Sequence, residues 1–200
     1  MTEKMLNTPA SELLLNLQNR KHGKYLTIGE ISDAMSGRIP GVVFVVFGLP
    51  ETIPMVGFSA IIATPIFLTA VWLALKGEGV FLPQWLRRKK IKSELFHRAM
   101  DRGIPLIRRL ERVSKPRWPD LASAYRLHGL LGMLLAIVLA VPIPGLNILS
   151  AFAVVGLGIG IIQRDGKLIA LSTSITVIVT AGTIAVLSGI WSILRSSVSG

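Results

Sequence analysis

Residues 127–162 read LHGLLGMLLAIVLAVPIPGLNILSAFAVVGLGIGII, without one Asp, Glu, Lys or Arg. A bilayer core about 30 Å thick takes about 20 helical residues to cross, so this run is too long for a single crossing. It is also interrupted at Pro142-Ile143-Pro144-Gly145-Leu146-Asn147. Proline lacks an amide hydrogen and its ring clashes with the preceding turn, so paired prolines stop a helix. The spacing predicts a helix over Leu127–Val141, a break, and a second helix over Ile148–Ile162.

Moving upstream, Ile39–Leu75 repeats the pattern. Gly41–Leu49 is apolar, Pro50-Glu51-Thr52-Ile53-Pro54 breaks it, and Met55–Leu75 is apolar again. Downstream, Leu168–Leu194 carries no charge and reads as one spanning helix, its Ser and Thr hydroxyls able to bond neighbouring backbone. The two hairpins match in order: an apolar helix, a Pro-x(1–3)-Pro break with a polar residue, a longer apolar helix, then a charged, glycine-containing turn at Lys76-Gly77-Glu78 or Gln163-Arg164-Asp165-Gly166. Paired, proline-interrupted hydrophobic segments in two halves are a pointer to a duplicated transporter-like architecture.

Composition agrees. The 200 residues are 51% hydrophobic and 16% charged, against about 25% charged in soluble domains. Without cysteine, disulfides, zinc–thiolate sites, iron–sulfur clusters and cysteine nucleophiles are excluded. His22, His97 and His128 are too scattered for a metal site. No hydrolase triad, phosphate-cradling loop or carboxylate pair is present, so neither catalysis, cofactor nor metal is expected. Gly156-x-Gly158-x-Gly160 lies inside an apolar helix and reads as a close-packing face rather than a dinucleotide loop.

The expected fold is an all-α integral membrane protein. Residues 1–26 form a tail with a short amphipathic helix from near Ser11, either solvated or lying on the membrane. Residues 27–78 form a first repeat, its interfacial helix 28–37 opened by the capping box Thr27-Ile28-Gly29-Glu30. Residues 79–126 are a basic linker, 127–166 a second repeat, and 167–200 a C-terminal transmembrane helix. The repeats are read as pseudo-symmetric and inverted. Nine residues, Gly41–Leu49, rise only about 13.5 Å, which favours a re-entrant first hairpin; lengthening that helix upstream would make it an ordinary double crossing.

Residues 76–126 hold fourteen Lys and Arg against five Asp and Glu, a net +9 of the chain's +11. The clusters are Arg87-Arg88-Lys89-Lys90 and Arg108-Arg109-x-x-Arg112. The positive-inside rule puts this segment and the N-terminus in the cytoplasm. Ile104, Leu106, Ile107, Leu110 and Val113 alternate with the second cluster as a basic amphipathic helix on the membrane surface would. Attraction to anionic lipid head groups and a simple topology signal both account for the charge. Nucleic acid is not expected as a partner, since no recognition motif accompanies it.

Glu51 is the only acid in either hairpin. An ionisable residue inside a membrane is a functional candidate by default; a wet turn at the far interface is the alternative. Asn147 is its counterpart. The candidate substrate or ion site is Pro50, Glu51, Pro54, Pro142, Pro144 and Asn147, with the two breaks meeting near the midplane. Unwound backbone at that depth must be sheltered by protein, which a homodimer would help supply.

These residues carry a resemblance. Leu26-Thr27-Ile28-Gly29-Glu30, Leu49-Pro50-x-x-x-Pro54, Pro83-x-Trp85-Leu86, Arg108-Arg109-Leu110-Glu111-Arg112, Pro142-Ile143-Pro144-Gly145-Leu146-Asn147 and Arg164-Asp165-Gly166 occur in the order and spacing of the ExoD family. The chain resembles that family from about Leu26 to Leu187. Where the family pattern often has Asn after the first break proline, this chain has Glu51. The resemblance implies a bacterial inner-membrane protein associated with the exopolysaccharide machinery, and no known reaction. A fainter, architectural similarity is to DedA-type membrane proteins, whose paired re-entrant hairpins are linked to lipid-carrier transport. Two functions follow as expectations: a transport or translocation-related protein, or a non-transporting accessory scaffold binding lipid or partners through its basic helices.

Overall fold

The computed structural model describes residues 10–19, 25–35, 37–53, 59–77, 84–114, 117–141, 143 and 145–199. In chain order these form α1 (Ala10–Asn19), β1 (Tyr25–Thr27), α2 (Ile28–Met35), α3 (Ile39–Glu51), α4 (Ser59–Lys76), α5 (Gln84–Arg87), β2 (Lys90–Lys92), α6 (Ser93–Val113), α7 (Pro119–Ala122), α8 (Tyr125–Ala140), α9 (Leu146–Gln163) and α10 (Gly166–Ser199).

Helix ends follow local chemistry. α8 stops at Ala140 because Val141, which precedes Pro142, takes an extended conformation (φ −91°, ψ 116°) that proline imposes on its predecessor. α9 restarts after Gly145, whose φ of +86° suits a residue without Cβ. At its other end Arg164 sits in the left-handed region (φ 54°), and the Asp165 N–H closes back on the Gly160 carbonyl at 2.9 Å. α3 differs from expectation. It runs through Pro50 and ends at Glu51, so the break begins after that proline; Thr52 closes the turn by donating its backbone N–H and its hydroxyl to the Leu49 carbonyl.

The bundle is assembled by close backbone approach. α3 lies along α9 and α4 along α8, while α10 lies along α9. A Cβ on Gly41 would fall 2.5 Å from the Gly158 carbonyl oxygen, and one on Gly129 would fall 2.3 Å from the Ala74 nitrogen. Lipid tails are as apolar as leucine, so helices in a membrane associate by such packing rather than by escape from solvent. Gly156 and Gly160 meet Ser172 and Ile169 of α10, while Gly158, on the other side of α9, meets Gly41 of α3, so these glycines allow close packing on two sides.

The glycine contacts also give direction. Gly41 meets Ile161 and Ile162, whereas Gly48 meets Val154 and Val155, so α3 and α9 are antiparallel. Gly129 touches Ala74 and Gly132 touches Ala70, so α4 and α8 are antiparallel too. Both hairpins therefore turn at the same end of the bundle. The opposite end gathers Arg38, Lys76, Arg126, Arg164 and Lys167.

Phe44, Ile66, Leu73, Leu135, Leu139, Val154, Leu157, Ile169 and Val179 are fully buried in this bundle or at its edge. Its outside is apolar as well: Ile61, Leu68, Leu130, Ile137, Phe152, Leu171, Val177 and Ile184 are exposed. A continuous apolar exterior of that extent belongs against lipid. α4, α9 and residues Gly166–Ser197 of α10 are each long and apolar enough to cross a membrane, whereas α8 is a shorter apolar helix. This is a membrane protein. In α10, Thr173, Thr176 and Thr183 donate to carbonyls one turn back at 2.7–2.8 Å, which removes the polar cost of their hydroxyls.

The basic end carries a second layer that periodicity did not reveal. β1 and β2 form a two-stranded antiparallel ribbon with Leu26 opposite Ile91, so the chain is mainly but not wholly helical. Leu26 is fully buried and packs with Phe96. The capping box forms: the Thr27 N–H donates to Glu30 Oε2 at 2.7 Å and the Glu30 N–H to Thr27 Oγ1 at 3.2 Å; its helix ends at Met35. α6 is one helix through Pro105. Ile104 is buried with Leu14 of α1 and Met35 of α2. Ile104, Leu14 and Met35 thus cover one another, while Leu95 at the start of α6 is exposed. The side chains of Leu106, Ile107, Leu110 and Val113 lie outside the described residues.

Candidate functional site

The break end holds a buried carboxylate and a half-buried amide. Glu51, in the last turn of α3, is 4% exposed. Ser59, the first residue of α4, donates its hydroxyl to Glu51 Oε2 at 2.8 Å. Oε1 is buried and has no hydrogen-bond partner among the described residues. Asn147, in the first turn of α9, donates Nδ2 to the Leu139 carbonyl at 3.3 Å and so ties the two sides of the second break together. Its Oδ1 is likewise buried and without a partner among the described residues. Each break thus presents one unused acceptor in an apolar bundle.

The two acceptors share an end of the bundle without touching. Gly48 lies level with Val154 and Val155, which sets Glu51 near Ala151 and Asn147 roughly one helical turn, about 6 Å, further along. No hydrogen bond joins them among the described residues. Pro50 is exposed on α3, and Pro54, Pro142 and Pro144 lie outside the described residues.

The basic clusters behave unequally. Arg87 donates Nη2 to both carboxylate oxygens of Asp33 at 2.9 Å, so it anchors α5 to α2. Arg88, Lys89, Lys90 and Arg108 are exposed, while the side chains of Arg109 and Arg112 lie outside the described residues. Among the described residues no three His, Asp or Glu side chains gather as a metal ion would require.

A second polar cluster, which sequence reasoning did not assemble, occupies the basic end. Arg38 precedes α3 and is 4% exposed. Burial, and then the positive charge of Arg164, lower its pKa to about 10 against weaker support from Tyr125 and Glu111. Arg164 Nη2 donates to the Tyr125 hydroxyl at 3.5 Å, and that hydroxyl lies over the Gly37 turn. Gln163 is buried beside them. Around this core the carboxylates are engaged: Glu111 accepts from the Ser11 N–H and hydroxyl at 2.9 and 2.6 Å, and Asp165 accepts from the Ser114 hydroxyl at 2.9 Å and the Lys167 N–H at 3.0 Å. These bonds lock α1 and α6 onto the membrane bundle. His128 is fully buried on α8, its Nε2 2.8 Å from the Leu121 carbonyl, and holds the short α7 turn in place. The one local hint was charge at hairpin ends; Arg38 and Arg164 stand far apart in sequence and meet only because α3 and α9 pair.

Residues 10–186 match the family described as "Exopolysaccharide synthesis, ExoD". The chain belongs to the ExoD family. A protein of Synechocystis sp. described as uncharacterized protein slr1875 is 29% identical over 149 residues, covering 72% of this chain and 70% of that protein. Protein ExoD of Rhizobium meliloti is 32% identical over 130 residues, which cover 62% of this chain and 53% of that protein, about half its length. No solved structure matches the chain. The ExoD match takes in α1 as well as both hairpins, so the Ser11–Glu111 contact joins elements of one family domain. The part of α10 beyond Val186 lies outside it.

Proposed function

We propose that this ExoD-family protein sits in the bacterial inner membrane and serves exopolysaccharide production as a translocation-related protein, not as an enzyme, with its polar site at the two helix breaks. One observation carries the reading: the carboxylate of Glu51 is buried in the bundle with an unused oxygen. A carboxyl kept from water at membrane depth is suited to carry a proton or to meet a cation. The unused Asn147 oxygen gives the second break an acceptor of the same kind.

Depth supports a re-entrant arrangement. The uncharged run of α10 extends from Leu168 to Leu194 between Lys167 and Arg195, and Leu146, at the second break, rests on Gly182 near its centre. On this reading the breaks lie in mid-membrane and the basic end faces the cytoplasm. The pairing of α3 with α9 and of α4 with α8 is what a two-fold relation between hairpins would produce. Because both turns lie at one end, the repeat is read as same-sense about an axis along the bundle; its inverted form gains no support.

The second reading is a non-transporting accessory protein. Exposed Arg88, Lys90 and Arg108 favour it, since cations at the surface attract anionic lipid or an acidic partner. Reconstitution in liposomes separates the two. Proton, ion and lipid movement are measured for the native protein, for Glu51→Gln, and for a variant with Arg88, Lys89 and Lys90 changed to Gln. Flux lost only with Glu51→Gln is the expected result. Absence of flux in the native protein, together with lipid or partner binding lost in the triple variant, would establish the scaffold instead.

A further inference from the structure

The buried cluster at the basic end has donors in excess of acceptors. Gly41 meets Ile161 and Ile162, so Arg38, one turn earlier, comes level with Gln163 and Arg164. Arg164 Nε and Gln163 Nε2 are both buried N–H donors with no acceptor among the described residues. Gln163 as a whole is only 6% exposed. The nearby carboxylates do not serve them, because Glu111 is engaged by Ser11 and Asp165 by Ser114 and Lys167.

The surroundings add charge and access. Tyr125, which accepts from Arg164, also lines an open cleft of about 400 Å³ formed with Lys76, Gly77, Ser123 and Arg126. Lys76 and Arg126 are exposed cations there. Arg38 brings a second guanidinium to the buried side. Guanidinium groups bind phosphate through parallel N–H···O bonds, and a phosphate group offers enough acceptors to meet two side chains at once. A carboxylate has fewer oxygens for this number of donors.

We propose that Arg164, Gln163 and Arg38, reached past Tyr125, form a binding site for a phosphate group at the basic end of the bundle. The site is separate from the helix breaks and stands whether or not Glu51 supports transport. Its ligand chemistry is a phosphate mono- or diester anion, either in water or on a lipid head group. The buried position at the ends of α3 and α9 suits a group presented at the level of the membrane interface.

The test uses the full-length protein in detergent and in nanodiscs. Inorganic phosphate is titrated by calorimetry at constant ionic strength, with chloride as reference. In a second arm, native mass spectrometry compares lipid retained from nanodiscs of phosphatidylcholine with and without phosphatidic acid. Binding in the first arm identifies a soluble phosphate; retention of phosphatidic acid without binding of inorganic phosphate identifies a lipid head group. Gln163→Leu removes one donor at nearly constant volume and is expected to weaken binding about tenfold, the ordinary consequence of losing one hydrogen bond to a charged group. Arg164→Gln is expected to weaken it further. Lys92→Gln with Arg98→Gln removes two exposed charges away from the site and is expected to leave affinity within about twofold, since surface charges at a distance are largely screened. Retained helicity by circular dichroism shows that each variant folds, and Gln163→Leu serves if Arg164→Gln does not. The proposal is overturned if neither arm shows binding, or if the exposed double variant weakens it as much as Gln163→Leu.

Discussion

Replacing Gly129 with alanine adds one methyl group where α8 crosses α4. The new Cβ would lie 2.3 Å from the Ala74 nitrogen and 2.7 Å from both the Ala70 carbonyl oxygen and the Ala74 Cα. These are backbone atoms and cannot rotate aside, so the two helices must separate by about 1 Å to restore ordinary contact. Overpacking of this kind costs about 1–3 kcal/mol. Alanine is the better helix former by up to about 1 kcal/mol, leaving a net loss of about 1–2 kcal/mol. Gly189 on α10 provides the reference, because a Cβ there meets nothing within 4 Å; Gly189→Ala should keep only the propensity gain. Unfolding of the detergent-solubilised protein by SDS, followed by circular dichroism, should move in opposite directions for the two variants. A Gly129→Ala protein as resistant as Gly189→Ala would show that the α4–α8 crossing is not held by backbone approach.

Other outcomes follow from single contacts. Ser114→Ala removes the hydroxyl that donates to buried Asp165 and should destabilise the domain by about 1–3 kcal/mol in the same unfolding assay. Thr27→Ala removes the N-cap of α2 at a cost of about 1 kcal/mol, seen as faster amide exchange over residues 25–31 with the membrane helices unaffected. The Arg38 guanidinium holds its proton less tightly in the folded protein than in the unfolded chain, burial having lowered its pKa to about 10. The resulting penalty is constant below about pH 10 and lifts only as the pH rises beyond it, towards the ordinary arginine range. Native and Arg38→Met stabilities should therefore differ by a fixed offset between pH 5 and about 9, and curves that converge or cross in that interval would contradict the assignment. Single cysteines are readily introduced in a chain that has none. Thr52→Cys and Ile143→Cys should both resist impermeant thiol reagents applied from either face, while exposed Arg126→Cys labels from one; ready labelling of 52 and 143 from the face opposite Arg126 would refute the midplane placement of the two breaks.

Much of the architecture was legible because lipid makes local demands. A run such as 127–162 must satisfy its own backbone and hide its own charge deficit, so membrane helices, their proline breaks and their glycine faces can be read without knowing any partner. The same holds for the Thr27–Glu30 capping box, whose bonds span three residues. The resemblance to the ExoD family rested on motifs of this local kind, and the family match covers them. Even so, the exact stop of α3 was misplaced, since Pro50 is accommodated in a final turn whose successor, Thr52, can close it.

What the sequence alone determined, then, is the set of helices and their solvent. What only the tertiary structure decided is which polar groups meet. Glu51 gained burial and Ser59 from the return of α4 onto α3; Arg38 met Arg164, and Leu26 met Phe96, across more than 60 positions of chain. Those encounters depend on helix crossing points fixed by backbone contact at glycines. A hydrophobic pattern says that a face is covered, but only the packed arrangement says by what.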